Sequence, residues 1–149
     1  MPEAKNEALV ESTEFIGRGL YGKSEKNIYT PLGSLDWQQF YDNRLNLDIS
    51  VDRVGNHEVF LKSLKYLLPK AQARKDYFRG WAIIKVSVLQ KENIEVYPDK
   101  VEDSDPLKEN KLHAQIRRDN WREKEMARIL AMTLSYMASQ NKIVSPPEN

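Results

Sequence analysis

The 149-residue chain contains no cysteine. That absence excludes thiolate nucleophiles, cysteine-ligated zinc and disulfide frameworks together, and it fits a reducing compartment. Histidine is almost absent too, since His57 and His113 are the only two. No apolar run approaches the roughly 20 residues that span a bilayer, and the polar first 13 residues contain no signal-peptide core. We therefore expect a cytoplasmic protein with no membrane partner.

The common sequence motifs of catalysis are absent as well. The chain has no P-loop, no dinucleotide-binding glycine pattern, no nucleophile elbow and no histidine pair at the helical spacing of a metal site. The sequence therefore predicts no metal ion and no other cofactor. Asp48, Asp52 and Glu95 could together be imagined as a magnesium site. A solvated strand face that protects an edge from aggregation is the favoured interpretation of the two aspartates.

Among the features that are present, the distribution of charge is the most informative. The net charge is only +1. Residues 61–90 nevertheless contain seven lysines and arginines and one acidic residue, whereas residues 91–110 contain three basic and seven acidic residues. A basic segment is therefore followed directly by an acidic segment. Because local charge sets the field that a partner meets, this alternation matters more than the total.

The spacing of apolar residues predicts a single α+β domain over residues 1–149, with tails at 1–13 and 143–149. We expect an antiparallel or mixed sheet of about four strands. A buried strand over 80–89 is placed at its centre, and 94–97 is expected to pair with it as a hairpin. A helix pair kinked at Pro69 and a long C-terminal helix are expected to pack on one face, which makes a two-layer sandwich.

Two helices have clear periodic signals. Asn56 is predicted to be the N-cap of the first helix, because its side chain can accept from the first free backbone N–H groups. The buried face of this helix is predicted to contain Phe60, Leu64, Leu67 and Ala71. The buried stripe of the C-terminal helix is predicted to contain Met126, Ile129, Leu130, Thr133, Leu134 and Met137.

The basic segment and the start of the last helix form the predicted binding surface. Lysine and arginine neutralise phosphates, and the aromatic residues interleaved with them can stack on unpaired bases. Arginines around a tryptophan are typical of interaction hot spots. The competing interpretation is an ordinary charged helix face with its aromatic residues in the core. The predicted binding residues are Lys62, Lys65, Lys70, Arg74, Lys75, Arg79, Arg117, Arg118, Trp121 and Arg122.

Three functional hypotheses follow from these patterns. The favoured one is a non-enzymatic binding or accessory protein whose basic surface engages nucleic acid or an acidic protein partner. An alternative is a small metal-independent ribonuclease of the toxin kind, in which His57 and His113 exchange protons with the substrate. Two unrelated surface or capping histidines are the favoured interpretation of that pair. A third hypothesis is a homo-oligomeric structural component, in which the basic segment of one copy faces the acidic segment of another.

Overall fold

A computed structural model describes residues 9–23, 28–29, 35–41, 44, 47–74 and 77–139, and the structural statements below concern these residues. This part of the chain forms a five-stranded antiparallel sheet with three α-helices. The strands are β1 Phe15–Tyr21, β2 Ile49–Gly55, β3 Phe78–Lys85, β4 Val96–Pro98 and β5 His113–Ile116. The helices are α1 Phe60–Arg74, α2 Val86–Lys91 and α3 Lys124–Ser139, with short 3₁₀ helices at Trp37–Phe40 and Asp119–Trp121. The predicted α+β class is therefore confirmed, with five strands in place of about four.

The strand order is β3-β1-β2-β5-β4, and every neighbouring pair is antiparallel. The predicted hairpin between the third and fourth strands is wrong, because these two strands form opposite edges of the sheet. The predicted central strand also ends early, at Lys85. The chain then turns into α2, where Val86 and Ser87 donate backbone hydrogen bonds to the segment before β1. Val86 and Leu89, three residues apart, are both buried by this turn into a helix.

Both faces of the sheet are covered by helices. In β3, Trp81 and Ile83 belong to one buried cluster, while Ala82 and Ile84 belong to another. Successive side chains of a strand point to opposite faces, so the two clusters lie on opposite sides of the sheet. Helix α1 supplies the first cluster, and α2 and α3 supply the second. The two-layer sandwich is accordingly not confirmed.

Asn56 begins α1 in the predicted way. Its side-chain oxygen accepts from the backbone N–H groups of Glu58 at 3.0 Å and of Val59 at 3.3 Å. The preceding Gly55 has a φ of +74°, and a Cβ there would lie 2.4 Å from Cγ2 of Val59. This turn therefore requires glycine, both for its backbone conformation and for space.

Helix α1 passes through Pro69 as one element, so the predicted pair of helices is not confirmed. Pro69 and Lys65 are both exposed. Pro69 has no N–H to donate to the Lys65 carbonyl, so the helix lacks one hydrogen bond on its exposed side. The predicted inner face of this helix is correct at Leu64, Leu67 and Ala71, which are buried.

Helix α3 is rotated relative to its predicted face. Met126 and Ile129 were expected to be buried but are 37% and 48% exposed. Small alanines take their place against the core and let the helix approach its neighbours closely. The buried apolar residues of α3 are Ala127, Leu130, Ala131, Leu134, Met137 and Ala138. None of the described helices combines the length and the apolar character needed to cross a membrane.

Residues 1–8 of the first predicted tail and all of the second, 143–149, lie outside the described residues. Val10 lies within the first predicted tail and is nonetheless buried. Its N–H donates to the carbonyl of Val96 at 2.9 Å. The chain before β1 is thus hydrogen-bonded directly to β4.

Candidate functional site

A cleft of about 720 Å³ opens where β1 and β2 separate. The pairing of these strands ends at Gly17 and Asp52, beyond which β1 continues against β3 alone. Arg18 spans the gap: its guanidinium donates to the carbonyl of Ser50 at 2.6 Å and to that of Gln39 at 3.0 Å. The remaining walls come from β5, the first 3₁₀ helix, the last turn of α1 and the segment 101–110.

Cations from four separate segments border this cleft, which we call the arginine cleft. Arg74 in the last turn of α1 and Lys108 before β5 are exposed and also border an adjoining cavity of about 490 Å³. Two carboxylates offset part of the positive charge. A concave surface with excess positive charge concentrates anions. The cations are Arg18, Arg44, Arg74 and Lys108, and the carboxylates are Asp36 and Asp52.

Asp52 lies at the inner end of the cleft and is only 4% exposed, so its predicted position on a solvated face is wrong. Its two oxygens accept hydrogen bonds from the Trp81 indole at 3.3 Å and the Asn110 side chain at 2.9 Å. Trp81 lies on β3, two strands away, and reaches Asp52 across β1 at Gly17. A Cβ at Gly17 would lie 3.1 Å from the indole ring, so the absence of a side chain there permits this contact.

His113 on β5 is directly opposite Asp52 in the strand register and also borders the cleft. Its Nδ1 lies 2.8 Å from the backbone oxygen of Asp99 and 3.5 Å from the Asp99 carboxylate. Gln115 donates to that carboxylate at 2.6 Å and holds it in place. A carbonyl oxygen can only accept, so Nδ1 carries the proton of the neutral ring and Nε2 carries the lone pair.

Two tyrosines, Tyr21 and Tyr41, add aromatic surface to the cleft. The hydroxyl of Tyr21 donates to the carbonyl of Ala71 at 3.3 Å. Burial raises the pKa of Tyr21, and the nearby Asp52 raises it further, against the opposing effect of Arg74. The phenol therefore stays protonated and neutral at physiological pH.

The other histidine is in a different place. His57 is exposed in the turn before α1, where its ring centroid lies 5.1 Å from that of Phe15. It borders neither of the two cavities. The structure therefore does not bring His57 and His113 together in one cleft.

The predicted basic surface on α1 is divided between solvent, core and cleft. Lys62 and Lys65 are exposed on the helix, and Lys75 lies outside the described residues. Lys70 is only 8% exposed. Arg74 is the member of this set that borders the cleft.

Lys70 joins the basic segment to the acidic one within a single chain. Its Nζ donates to the carbonyl of Pro106 at 2.5 Å and lies 3.6 Å from the Glu109 carboxylate. The same ammonium sits 4.4 Å from the centre of the Tyr66 ring. The hydroxyl of Tyr66 in turn donates to Glu109 at 2.7 Å. The contact that the oligomer hypothesis placed between copies thus occurs within one molecule.

Farther along the chain, Arg79 and the arginines before α3 make intramolecular contacts. Arg79 donates to the carbonyls of Gly22, at 2.8 Å, and Lys23. Arg117 forms an ion pair with Glu95 at 2.9 Å. Trp121 is partly buried against the main core cluster.

The remaining two arginines surround Asp48. Arg122 lies 3.0 Å from its carboxylate, and the backbone N–H of Arg118 donates to the same oxygen at 2.9 Å. The side chain of Arg118 is fully buried and donates to the carbonyl of Arg44 at 2.6 Å. Tyr97 donates its hydroxyl to Asp48, and burial together with this carboxylate raises the pKa of Tyr97 strongly. This corner is a polar network formed within one molecule.

A metal site is not evident in the part of the chain that the structure describes, where no group of three or more potential ligands is arranged to hold an ion. The three carboxylates of the imagined magnesium site have other partners. Asp48 contacts Arg122, Asp52 contacts Trp81, and Glu95 contacts Arg117.

No model of a known protein family matches this chain, and neither curated protein sequences nor solved structures give a match. The functional argument therefore depends on the geometry of the arginine cleft. Sequence reasoning named Arg74 and His113 but missed Arg18, Arg44 and Lys108. Arg18 lies between Gly17 and Gly19, outside the basic segment.

Proposed function

We propose that the protein binds single-stranded nucleic acid in the arginine cleft. The observation that carries this proposal is the convergence of four cations from separate segments around one concave surface. Phosphates are neutralised by such side chains, and the released counterions make binding favourable at low salt. The proposal keeps the nucleic-acid partner expected from the sequence and moves the contact from the outer face of α1 to the cleft.

The walls of the cleft favour an unpaired strand over a duplex. Tyr21 and Tyr41 offer rings on which exposed bases can stack, and such stacking is tolerant of sequence. A volume of about 720 Å³ falls within the range of sites for small molecules and nucleotides, roughly 300–1,000 Å³.

An acidic protein is the weaker candidate partner. A specific protein interface buries roughly 800 Å² per partner over a broad and largely flat surface. The exposed lysines of α1, Lys62 and Lys65, are separated from the arginines before α3, which are already paired with carboxylates or buried. The described residues therefore offer the concave site as the better concentration of positive charge.

Binding of a fluorescent single-stranded oligonucleotide, followed by anisotropy at several salt concentrations, tests the proposal. We expect Arg74→Gln to weaken binding about 5- to 20-fold and to reduce the slope of log K against log salt by about 1, because one phosphate contact is lost. Lys65→Gln is the matched control, since it removes the same charge from the exposed part of the same helix. Equal effects of the two substitutions would show that the cleft is not the binding site.

A further inference from the structure

We propose that the arginine cleft cleaves RNA without a metal ion, with the Nε2 atom of His113 as the general base. This inference rests on the proposed binding of nucleic acid and adds to it a substrate class and a reaction. It keeps His113 from the ribonuclease hypothesis and removes His57, which the structure places outside the cleft.

The first support is the way in which the His113 ring is held. Its Nδ1–H donates to the backbone oxygen of Asp99, and the Asp99 carboxylate lies beside the same nitrogen at 3.5 Å. Gln115 fixes that carboxylate through a hydrogen bond of 2.6 Å. An imidazole whose tautomer is fixed by a backbone acceptor, with a carboxylate beside the same nitrogen, is suited to accept a proton at its other nitrogen.

The second support is the availability of that other nitrogen. Among the described residues, no hydrogen bond to Nε2 of His113 is found, and the residue borders the cleft. Nε2 is not one of the buried side-chain atoms that lack a partner, so it is accessible from the cleft. Its place on the wall of a cationic cleft suggests a partner supplied by the ligand.

The third support is the surrounding charge. Developing negative charge on a phosphate that undergoes substitution is stabilised by fixed cations, which require no reorganisation during the reaction. Arg18 is fixed by two backbone carbonyls, and Arg74 and Lys108 flank the opening. Together these residues can hold the phosphate while His113 acts on the adjacent ribose.

The reaction needs no oxidant, metal or second substrate. Nε2 of His113 takes the proton of a ribose 2′-hydroxyl, and the 2′-oxygen forms a bond to the neighbouring phosphorus. The bond from phosphorus to the 5′-oxygen of the next nucleotide breaks, and that oxygen takes a proton from water. The products are a 2′,3′-cyclic phosphate and a 5′-hydroxyl, after which His113 returns its proton to water. DNA lacks the nucleophile and is therefore bound but not cut.

The test incubates the purified protein with a single-stranded RNA of mixed sequence in the presence of a chelator. We expect products with 2′,3′-cyclic phosphate ends, identified by mass spectrometry, and no cleavage of the same sequence with 2′-O-methyl groups. His113→Gln should lower the cleavage rate at least 100-fold, which is the scale of general base catalysis, and change the affinity for RNA less than about twofold. His57→Gln is the matched control and should cleave at the wild-type rate.

In this reaction Asp99 positions the His113 ring, and the Asp99→Asn variant tests that role. The backbone acceptor remains in this variant while the carboxylate is lost. We expect kcat to fall about tenfold with KM unchanged, because the carboxylate acts on the protonated ring and not on substrate binding. A change in KM alone would contradict the role.

The outcomes separate this inference from the proposed function. Wild-type protein that binds RNA without cutting it, or a His113→Gln variant that cuts at the wild-type rate, overturns the inference and leaves binding in place. Protein that neither binds nor cuts overturns both. Circular dichroism shows whether His113→Gln folds. If it does not fold, the wild-type protein alone tests the reaction on the RNA with 2′-O-methyl groups. Continued cleavage of that strand rules out the 2′-hydroxyl as the nucleophile and overturns the inference.

Discussion

Two aspartates four residues apart, Asp48 and Asp52, have almost opposite surroundings. Both carboxylates are largely removed from solvent. Asp48, just before β2, accepts hydrogen bonds from the arginines that precede α3. Asp52, within β2, accepts hydrogen bonds from the neutral side chains of Trp81 and Asn110. The cations that border the cleft beside Asp52 include the exposed Arg74 and Lys108.

This comparison separates two uses of arginine in one small protein. Around Asp48 the positive groups are matched by carboxylates and carbonyls, so their contribution is to the stability of the fold. At the arginine cleft, Arg74 and Lys108 are exposed at the opening and are therefore accessible to the proposed ligand. Four of the five arginines in the predicted binding surface make contacts within the molecule. Apart from Arg74, the cations proposed to bind lie outside the basic segment.

The largest expected effect is loss of the Asp48 network. Asp48→Ala leaves Arg122 without this carboxylate and removes the acceptor next to the buried Arg118. Removing one partner of a largely buried charge network costs about 3–5 kcal/mol, so we expect the free energy of unfolding in urea to fall by that amount. Asp119→Ala is the control, because Asp119 contacts the same Arg122 from a side chain 58% exposed, and it should cost less than about 1 kcal/mol. Equal losses would mean that burial does not distinguish the two carboxylates.

Asp52→Asn should have a smaller effect on stability. The Asp52 carboxylate has two acceptor oxygens, one for the Trp81 donor and one for the Asn110 donor. The amide of the variant has only one acceptor oxygen, so one buried hydrogen bond is lost at a cost of about 1–3 kcal/mol. The double variant Asp52→Asn with Asn110→Asp exchanges donor and acceptor between the two positions. We expect it to recover part of the lost unfolding free energy, measured by urea denaturation. A double variant that loses the sum of the two single losses would show that this hydrogen bond contributes little.

The smallest effect concerns pH and the contact between α1 and the acidic segment. The hydrogen bond from Tyr66 lowers the pKa of Glu109 below its ordinary value of 4.5. A lowered carboxyl pKa stabilises the folded state above the ordinary pKa, and this contribution is lost as the pH falls through the lowered value. Burial, followed by the effect of Glu109, raises the pKa of Tyr66, so the contact also weakens in strong alkali.

Tyr66→Phe should therefore lower Tm more at pH 7 than at pH 3. Tyr136→Phe removes a hydroxyl from a side chain 68% exposed on α3 and serves as the control. We expect its small effect on Tm to be the same at both pH values. A Tyr66→Phe effect that does not change between pH 7 and pH 3 would contradict the proposed linkage to Glu109.

The elements that could be predicted from the sequence are those with a regular local period. Helix α1 has its apolar residues at helical spacing, and its buried face is as predicted at Leu64, Leu67 and Ala71. The run Val86–Leu89 was misread because a short apolar segment with β-branched residues fits a strand or a buried helix equally well. Only contact with the backbone before β1 decides between them.

The candidate site could be predicted in part only, because it depends on strand order. Burial of Asp52 follows from Trp81 reaching it across Gly17, and no local pattern contains that contact. His113 faces Asp52 because β5 pairs with β2, which lies far from it in the sequence. Arg44 and Lys108 are single charges outside the basic segment, so a search for charge density passes over them.

The strand order also has a consequence for how the molecule is assembled. Two of the four strand pairings join distant parts of the chain: Phe15 pairs with Lys85, and Ile49 pairs with Ile116. Long-range pairings of this kind require loop closure before they give any stability, and sheets built from them fold slowly, on a scale of roughly milliseconds to seconds. A nascent chain that has not yet been synthesised through Ile116 has no β5, and therefore no complete wall on that side of the cleft. The growing chain therefore cannot form the complete cleft, or bind a ligand in it, while those residues are still inside the ribosome.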